Sequence, residues 1–463
     1  MLLGLSACDL AETNIDPTRP TDVNIDLIMP TLLSQAAYNQ SANPARVSGI
    51  VMQYFEGVDA QQLGFTNYVI GEDAFNNYWR TGFYAGSGKD AIVMIEKAQG
   101  GDGEEARPHY EGIAKIILAN ELGMAASYFG DMPYSEAFLG ADNLTPGYDL
   151  QEDVFATVQA LLDEAIALLD GAPSAAPPGG DDLIFSGDAA AWVATAWAFK
   201  ARYFMMASKR DGEAAVNALS ALGNAFAGTA AQPNFAWEGS QTSNNPFAKF
   251  GIERPGTLAP ATSFVDALTA NNDPRLTAYF DTAAFSFFAG TPSNLTWSQD
   301  NSVIPLISYA ELKFIEAEAL LRTGAADADV QAAMEAGIQA SMDMNSIESA
   351  AVTAYIEAVA EVADQADLEA KLELVMTEAY YAYYGYAIQQ AWNNFRRTGY
   401  PALTPAGGGA NGLNPSGGIP RRFLYPVSEA QLNAAQLQVA ESRQDQNGDG
   451  AFLLDDDVWI FAD

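Results

Sequence analysis

Apolar residues recur at three- and four-residue spacing along most of the chain, which is the period of an amphipathic α-helix. The alternation typical of half-buried strands is scarce. One segment, 188–208, is apolar on almost all sides and predicts a buried helix. The other helical patterns cover residues 26–40, 88–98, 105–129, 151–170, 308–323, 326–343, 347–361 and 366–394. The chain is therefore predicted to be mainly α.

Long irregular stretches, rich in Gly, Pro, Asn and aromatic residues, separate these helices. They cover residues 55–77, 130–147, 171–187, 228–262, 283–305 and 399–425. Loops of this length inside a compact protein usually carry function. We therefore expect a helical scaffold with a ligand surface in its loop-rich parts, roughly 55–80 and 228–305. The succession of helices suggests pairs of the tetratricopeptide type, although no repeat signature can be read off directly.

The charge of the chain excludes one class of partner. Its net charge is -37, from 59 acidic and 22 basic side chains, and such a surface repels phosphate backbones and anionic lipids. Nucleic-acid binding is thereby excluded, and a neutral ligand is favoured over an anionic one. After residue 8 no apolar run is long enough to span a bilayer.

The N-terminus carries the only cysteine. A short apolar start leads into Leu5-Ser6-Ala7-Cys8, a pattern typical of the end of a bacterial lipoprotein signal, in which the cysteine carries lipid. Acyl chains on Cys8 would hold the protein on a membrane without a spanning helix. Residues 1–25 are then a signal remnant and polar tether, and residues 26–463 form a single domain. The alternative is a free thiol.

Catalytic chemistry is sparse. The single histidine, His109, stands at a helix start with no partner for a Ser-His or Cys-His scheme, and zinc ligands are lacking. Carboxylates are abundant, so a glycosidase-type acid pair stays open. Glu311, Glu316 and Glu318 share one predicted helix, where solvated or capping roles are favoured over catalysis.

One motif resembles a metal site. Asp445, Asn447 and Asp449 alternate before Gly450, and Asp456 follows at the twelfth position, where a calcium loop usually has glutamate. No cofactor is required by this interpretation, and a bound Ca²⁺ would be structural. The alternative is an acidic surface turn.

Two arginine pairs stand out in so acidic a chain. Arg396-Arg397 and Arg421-Arg422 flank a Gly- and Pro-rich loop. We expect all of them to be ion-paired to the body of the protein.

Five stretches carry a resemblance to a known family. Residues 392–401 (WNNFRRTGYP) and 418–426 (GIPRRFLYP) resemble the C-terminal signature of the SusD/RagB family. Residues 128–137 resemble its GD-P-YSEA segment, 272–276 its DPRL turn, and 309–319 its EAEA helix. With Cys8, the resemblance covers nearly the whole chain in the expected order.

This resemblance implies a surface lipoprotein of the outer membrane, with a helical fold that contains tetratricopeptide-like units. Family members cap a TonB-dependent SusC-like transporter and bind glycans or other nutrients without cleaving them. The motifs are mostly scaffold, so the ligand site has to come from a physical reading of the loops.

Sugars stack their C–H faces on aromatic rings and pair their hydroxyls with amides and carboxylates. Two loops fit this chemistry, one running from Tyr54 to Trp79 and one from Phe285 to Asn301. Trp297 is the leading candidate because its neighbours are polar. The further candidates are Phe65, Asn67, Tyr68, Trp79, Phe288, Asp300 and Asn301.

We therefore predict a non-enzymatic, lipid-anchored glycan-binding protein that serves an uptake transporter, with a neutral glycan such as a β-glucan as ligand. Two alternatives remain open. One is a binder of peptide or another non-sugar nutrient, and the other is a glycoside hydrolase with a carboxylate pair.

Overall fold

The structure, a computed structural model, describes residues 23–100, 105–281, 297–445, 448 and 450–462. The mainly α prediction is confirmed. In chain order, the first half contains α1 (Ile25–Ser41), α2 (Asn43–Val51), β1 (Phe55–Gly57), α3 (Ala60–Thr66), a π-helix (Tyr78–Ser87), α4 (Gly88–Ala98), α5 (Pro108–Phe129), α6 (Gln151–Leu169), α7 (Ala189–Met206) and α8 (Ala214–Leu222).

The second half begins with β2 (Asn234–Ala236), α9 (Pro246–Glu253), β3 (Leu258–Pro260), α10 (Thr262–Ala270), α11 (Leu276–Tyr279) and β4 (Val303–Pro305). It continues with α12 (Tyr309–Thr323), α13 (Asp327–Met344), α14 (Ser349–Ile356), α15 (Leu368–Tyr383), α16 (Ile388–Thr398), α17 (Val427–Leu432) and α18 (Ala434–Gln444). Strand β1 pairs antiparallel with β3, and β2 with β4. In the described ranges, every helix is too short or too polar to cross a bilayer.

Antiparallel helix pairs form the scaffold. Lys115, near the start of α5, bonds Glu164, near the end of α6, at 2.7 Å. At the opposite ends, Gln151 of α6 donates to the Ala126 carbonyl of α5 at 2.6 Å. A three-residue connection joins α12 to α13, and a Cβ on Gly337 would lie 2.7 Å from the Phe314 ring, so these helices also pack closely. The fold is thus of the predicted tetratricopeptide-like kind.

The predicted helix 366–394 is wrong as one element. It divides into α15 and α16 around Gly385, whose φ is +80°. A side chain at this position would collide with Trp297, because an added Cβ would lie 2.6 Å from Cγ of that ring. The predicted helix 347–361 is also too long, since α14 ends at Ile356.

The two parts predicted to be loop-rich contain more regular structure than expected. Residues 55–80 contain β1, α3 and the start of the π-helix, and the described part of 228–305 contains β2, α9, β3, α10, α11 and β4. These elements are three to nine residues long. Helical periodicity is not visible over so few positions, which is why the sequence did not predict them.

The C-terminal end of α5 is a buried junction. The last four carbonyls of a helix have no partner within the helix and must find one elsewhere. Here each of the four accepts a hydrogen bond from a distant residue: Ala126 from Gln151 Nε2, Ser127 from Arg396 Nη1, Tyr128 from the Phe423 N–H and Phe129 from Arg422 Nη2. Both arginines are buried and carry the charge sign that a helix C-terminus favours.

The arginines of the sequence pairs Arg396-Arg397 and Arg421-Arg422 therefore fall into two groups, according to whether they bind a carboxylate or backbone carbonyls. Arg397 pairs with Glu318, and Arg421 pairs with Asp457 at 2.6 Å, as predicted. The expectation of ion pairs is wrong for Arg396 and Arg422, which bond backbone carbonyls and lie over aromatic rings, Arg396 at 3.6 Å from the Trp392 centroid.

Glu311 and Glu318 are structural, but they are not solvated as expected. Glu311 lies buried against Arg202 at 2.6 Å, and Glu318 is buried between Arg322 and Arg397. Glu316 pairs with Lys313 at the surface. The carboxylates of Glu311 and Glu318 therefore join α12 to α7 and α16, whereas the Glu316 pair lies within one helix.

A buried carboxyl group links α1, the π-helix and α5. Glu121 Oε2 accepts hydrogen bonds from Asn39 Nδ2 at 2.5 Å and from Ser87 Oγ at 2.6 Å. Burial raises the pKa of Glu121 to about 7, against the opposing effect of these two hydrogen bonds. A folded-state pKa above the unfolded value means that the native state holds a proton that the unfolded chain releases.

We predict that Glu121→Gln abolishes a pH-dependent loss of stability. The stability from protonated Glu121 is full below the ordinary glutamate pKa and is lost as the pH rises through about 7. The variant should therefore gain on the order of 2–3 kcal/mol relative to wild type between about pH 4.5 and pH 8. Urea denaturation at both pH values measures this difference.

The control is Glu96→Gln, which removes an exposed carboxylate from α4 and should show no such gain. A constant difference between Glu121→Gln and wild type at the two pH values would contradict the prediction.

Candidate functional site

A cavity of about 140 Å³ lies where the first predicted loop meets two later segments. Its walls come from the end of α2, from β1, from the end of α3, from the start of α10 and from the loop after α16. The lining residues are Ile50, Gln53, Phe55, Glu56, Thr66, Tyr68, Ala261, Ser263, Thr404 and Ala406. Ser263 and Thr404 are exposed at its rim.

Two of the lining residues end helices in the same unusual way. After α2, the Tyr54 N–H donates to the Gly49 carbonyl and the Gln53 N–H to that of Ile50, at 2.9 and 3.0 Å. After α3, Val69 and Tyr68 repeat this pattern. In this helix ending the residue after the cap adopts a left-handed conformation and is usually glycine. Here it is Gln53 and Tyr68, each with a φ of +57°.

A left-handed backbone at a residue with a large side chain costs about 1–3 kcal/mol, and such residues cluster at functional sites. Both of these residues turn their side chains to the same cavity. A glycine would relieve the backbone strain but would remove the side chain from the cavity wall. The pairing of strain and cavity marks this region as the candidate site.

The loop after α16 forms one wall and is fastened to the two strained residues. Gln53 Nε2 donates to the Thr404 carbonyl at 2.6 Å, and the Ala406 N–H donates to Tyr68 Oη at 3.1 Å. Burial raises the pKa of Tyr68, so its hydroxyl keeps its proton. Asn411 Nδ2 adds bonds to the carbonyls of Asn67 and Tyr68.

The opposite wall is fixed by β1. Thr66 Oγ1 accepts from the Gly57 N–H at 2.7 Å, which ties α3 to the strand. Glu56 Oε1 accepts from the Thr262 N–H at 3.0 Å at the start of α10. Glu56 is the one charged residue among the residues that line this cavity.

This wall leaves polar atoms available to a ligand. Within the described ranges, the hydroxyls of Ser263 and Thr404 have no hydrogen-bond partner in the protein, and the second oxygen of Glu56 has none. They lie in a small site whose lining also includes the almost fully buried rings of Phe55 and Tyr68. Such a mixture suits a polar ligand with apolar faces.

Comparison with protein families identifies the chain. A family model described as "SusD-like_2: Starch-binding associating with outer membrane" matches residues 17–426. The chain belongs to the SusD-like family. Its members are nutrient- or glycan-binding proteins associated with the outer membrane.

Solved structures agree with the SusD-like fold. A SusD/RagB family protein from Bacteroides thetaiotaomicron matches with a TM-score of 0.76 and 22% identity, over 95% of this chain and 99% of that chain. A chitin-binding protein matches with a TM-score of 0.77 and 22% identity, over 95% and 100%. A SusD homologue from Bacteroides fragilis gives 0.77 and 20%, over 95% and 100%. No curated protein sequence matches.

The predicted exposure of Trp297 is wrong. The Trp297 side chain is 2% exposed, and its ring centroid lies 4.2 Å from that of Phe247 and 5.0 Å from that of Tyr384. The polar residues that follow it, 298–300, lie on a turn, while the ring enters an aromatic cluster beneath Gly385. Phe55 stands between Trp297 and the cavity, at 6.3 Å from Trp297.

The first predicted loop holds the cavity, but its residues are arranged differently than expected. Tyr68 lines the cavity while being almost fully buried. Phe65 is buried in the core, so its predicted exposure is wrong. The Asn67 side chain donates to the Leu63 carbonyl at 3.0 Å and lies under Gly408, away from the cavity lining.

Trp79 is also buried, so its predicted exposure is wrong. Its Nε1 donates to Glu429 Oε1 at 3.0 Å, and its ring packs edge-on against Phe129. Trp79 is therefore part of the packing around the end of α5.

Asp300 and Asn301 lie near the surface, beside Gly239 and close to the β2–β4 pair. They do not line the cavity. Phe288 and Cys8 lie outside the described residues, so their roles stay predictions.

The calcium hypothesis also remains a prediction. Asn447 and Asp449 lie outside the described residues. Asp445 accepts from the N–H groups of Gly448 and Gly450 at 2.9 Å each. In the described part of the chain, no three acidic, histidine or cysteine side chains form a cluster able to hold a metal.

Sequence reasoning missed Gln53, Ser263 and Thr404 and gave Glu56 no role of its own. The sequence contained one signal for Gln53, because a helix that ends in this way usually has a glycine at that position. The others come together only through the tertiary fold.

We predict that Trp297→Ala destabilises the protein by about 3–5 kcal/mol, as removal of a buried aromatic side chain does. Chemical denaturation measures this loss. The control is Asn301→Ala, an exposed neighbour whose change should stay within about 0.5 kcal/mol. Equal stabilities for the two variants would show that Trp297 is not a core residue.

Proposed function

We propose that this SusD-like protein captures an oligosaccharide or polysaccharide at the cell surface and passes it to a TonB-dependent SusC-like transporter. The observation that carries the proposal is the cavity whose walls include two strained residues, Gln53 and Tyr68. Backbone strain at two residues of one cavity supports a role in binding.

The lining favours a sugar over a peptide. Ser263, Thr404 and Glu56 offer oxygens for hydroxyl groups, and the almost fully buried rings of Phe55 and Tyr68 make part of the lining apolar. Among the described residues, the lining contains a single large aliphatic side chain, Ile50, and no basic residue, whereas aliphatic or basic residues would be expected for peptide side chains or acidic groups.

We further propose that the glycan is uncharged or at least not anionic, for example a β-glucan. A net charge of -37 disfavours polyanions at long range, and the lining carboxylate of Glu56 disfavours them at short range. The family description names starch and one structural relative is a chitin-binding protein, and both polymers are uncharged.

Binding without cleavage is part of the proposal. A glycosidase needs two carboxyl groups about 5–10 Å apart on either side of the scissile bond. Glu56 alone lines the cavity among the described residues, so the second carboxylate is missing there. We expect a bound oligosaccharide to be recovered intact after long incubation.

The proposal that the glycan binds in this cavity can be tested with a substitution that fills it. Ser263→Trp places a large ring at the exposed rim without touching the core. We predict that binding to the one or more neutral polysaccharides retained by wild type in native affinity electrophoresis falls at least about tenfold. The panel is starch, a β-glucan, soluble chitin oligomers and an anionic pectin.

The matched control is Thr269→Trp, at an exposed position of the same helix α10 outside the cavity. It should bind as wild type does. Equal binding by both tryptophan variants would place the glycan elsewhere, and binding to the pectin alone would contradict the proposed ligand class.

We also propose that Cys8 carries the lipid anchor. Removal of the acyl chains removes the membrane affinity, because no helix of the described residues could replace it. Cys8→Ala should therefore move the protein from the membrane fraction to the soluble fraction of expressing cells. Retention of the variant in the membrane fraction would contradict lipid anchoring at Cys8.

A further inference from the structure

The charge of the cavity lining limits which ligands can bind. Glu56 is the one charged residue in the lining, and it is held in place because Oε1 accepts the Thr262 N–H at 3.0 Å. A carboxylate can only accept hydrogen bonds. The second carboxylate oxygen of Glu56 is therefore available to accept a hydrogen bond from a donor group of the ligand.

In the described part of the chain, no basic side chain forms an ion pair with Glu56. The nearest basic residue along α2 is Arg46, one turn before Ile50. Its guanidinium reaches back to Asn43 Oδ1 at 2.7 Å and lies 4.0 Å from the Phe250 centroid, so it is committed to another surface.

Glu56 also stands beside groups that tolerate a cation. Gln53, Thr66, Ser263 and Thr404 are uncharged, and the other described lining residues are apolar or aromatic. The net charge of -37 adds a field that concentrates cations at the surface. The lining and the long-range field thus both favour a ligand group with a positive charge.

We propose that Glu56 selects a sugar unit that bears a free amino group, such as glucosamine, over its acetylated and hydroxyl counterparts. An ammonium group would donate a charge-assisted hydrogen bond to Glu56, which is stronger than the bond from a hydroxyl or an amide. This inference rests on the proposed function, since it names the glycan class for the same cavity.

The test compares oligomers that share the β-1,4 linkage. Wild-type protein is titrated calorimetrically at about pH 6, where such an amine is protonated, with a glucosamine hexamer, an N-acetylglucosamine hexamer and cellohexaose. We expect the glucosamine hexamer to bind roughly tenfold more tightly than the other two. In Glu56→Gln this preference should fall to about twofold or less.

A control separates the site from the general field. Glu253→Gln removes the same charge from an exposed position at the end of α9, outside the cavity, and should keep the preference. If Glu56→Gln keeps the preference as well, attraction by the overall charge explains it and the proposal is overturned.

The remaining outcomes distinguish this inference from the proposed function. Equal binding of all three oligomers, lost in Ser263→Trp, would overturn the role of Glu56 and leave glycan binding in the cavity standing. Binding that Ser263→Trp does not affect, or no binding of any oligomer or polysaccharide, would overturn both.

Discussion

The structure depends on how the C-terminal end of α5 is satisfied. A long helix that ends in the protein interior leaves its last carbonyls in a medium without water, and each unpaired one would cost about 1–3 kcal/mol. In α5 the Ala126 carbonyl also accepts the Gly130 N–H at 2.9 Å, whereas the carbonyls of Ser127, Tyr128 and Phe129 depend on distant donors. Gln151, Arg396, Phe423 and Arg422 supply the four donors. The start of α6, the end of α16 and the segment before α17 are thereby held at one point, although Gln151 lies more than 200 residues before Arg396 along the chain.

This junction also positions the candidate site. Arg396 and Arg422 fix the two ends of the connecting loop, and residues 404–406 in the middle of that loop form one wall of the cavity. The loop is fastened to Gln53 and Tyr68 by short hydrogen bonds, so its path is determined at both ends and in the middle. The same motif that builds the scaffold thus also positions one wall of the candidate site.

The scaffold was largely predictable from the sequence, because long helices bury many residues at a regular period and the family motifs lie at their ends. The arginine motif illustrates both the success and its limit. The sequence indicated that the motif is important but did not predict its partners. Only Arg397 and Arg421 pair with carboxylates, and a backbone carbonyl cannot be recognised as a partner from residue types.

The site was harder to predict for a related reason. Trp297 has polar neighbours and still packs into the core, because a single turn at Gly385 opens a space for its ring. Gln53 and Tyr68 look ordinary in the sequence, and only their left-handed backbone distinguishes them. Local composition reports the average environment of a segment, whereas a binding site is made by individual residues that depart from it.

The residues that stabilise the fold at the α5 junction are different from the residues that line the candidate site. The α5 junction uses buried arginines and backbone carbonyls, while the cavity uses side chains at helix ends and on an exposed loop. A change at Glu56 or Ser263 alters no contact of the junction, so ligand chemistry can change at small cost to stability. Trp297 and Tyr68 mark the boundary between the two, since the first packs against Phe55 within the core and the second is buried while contributing to the cavity lining.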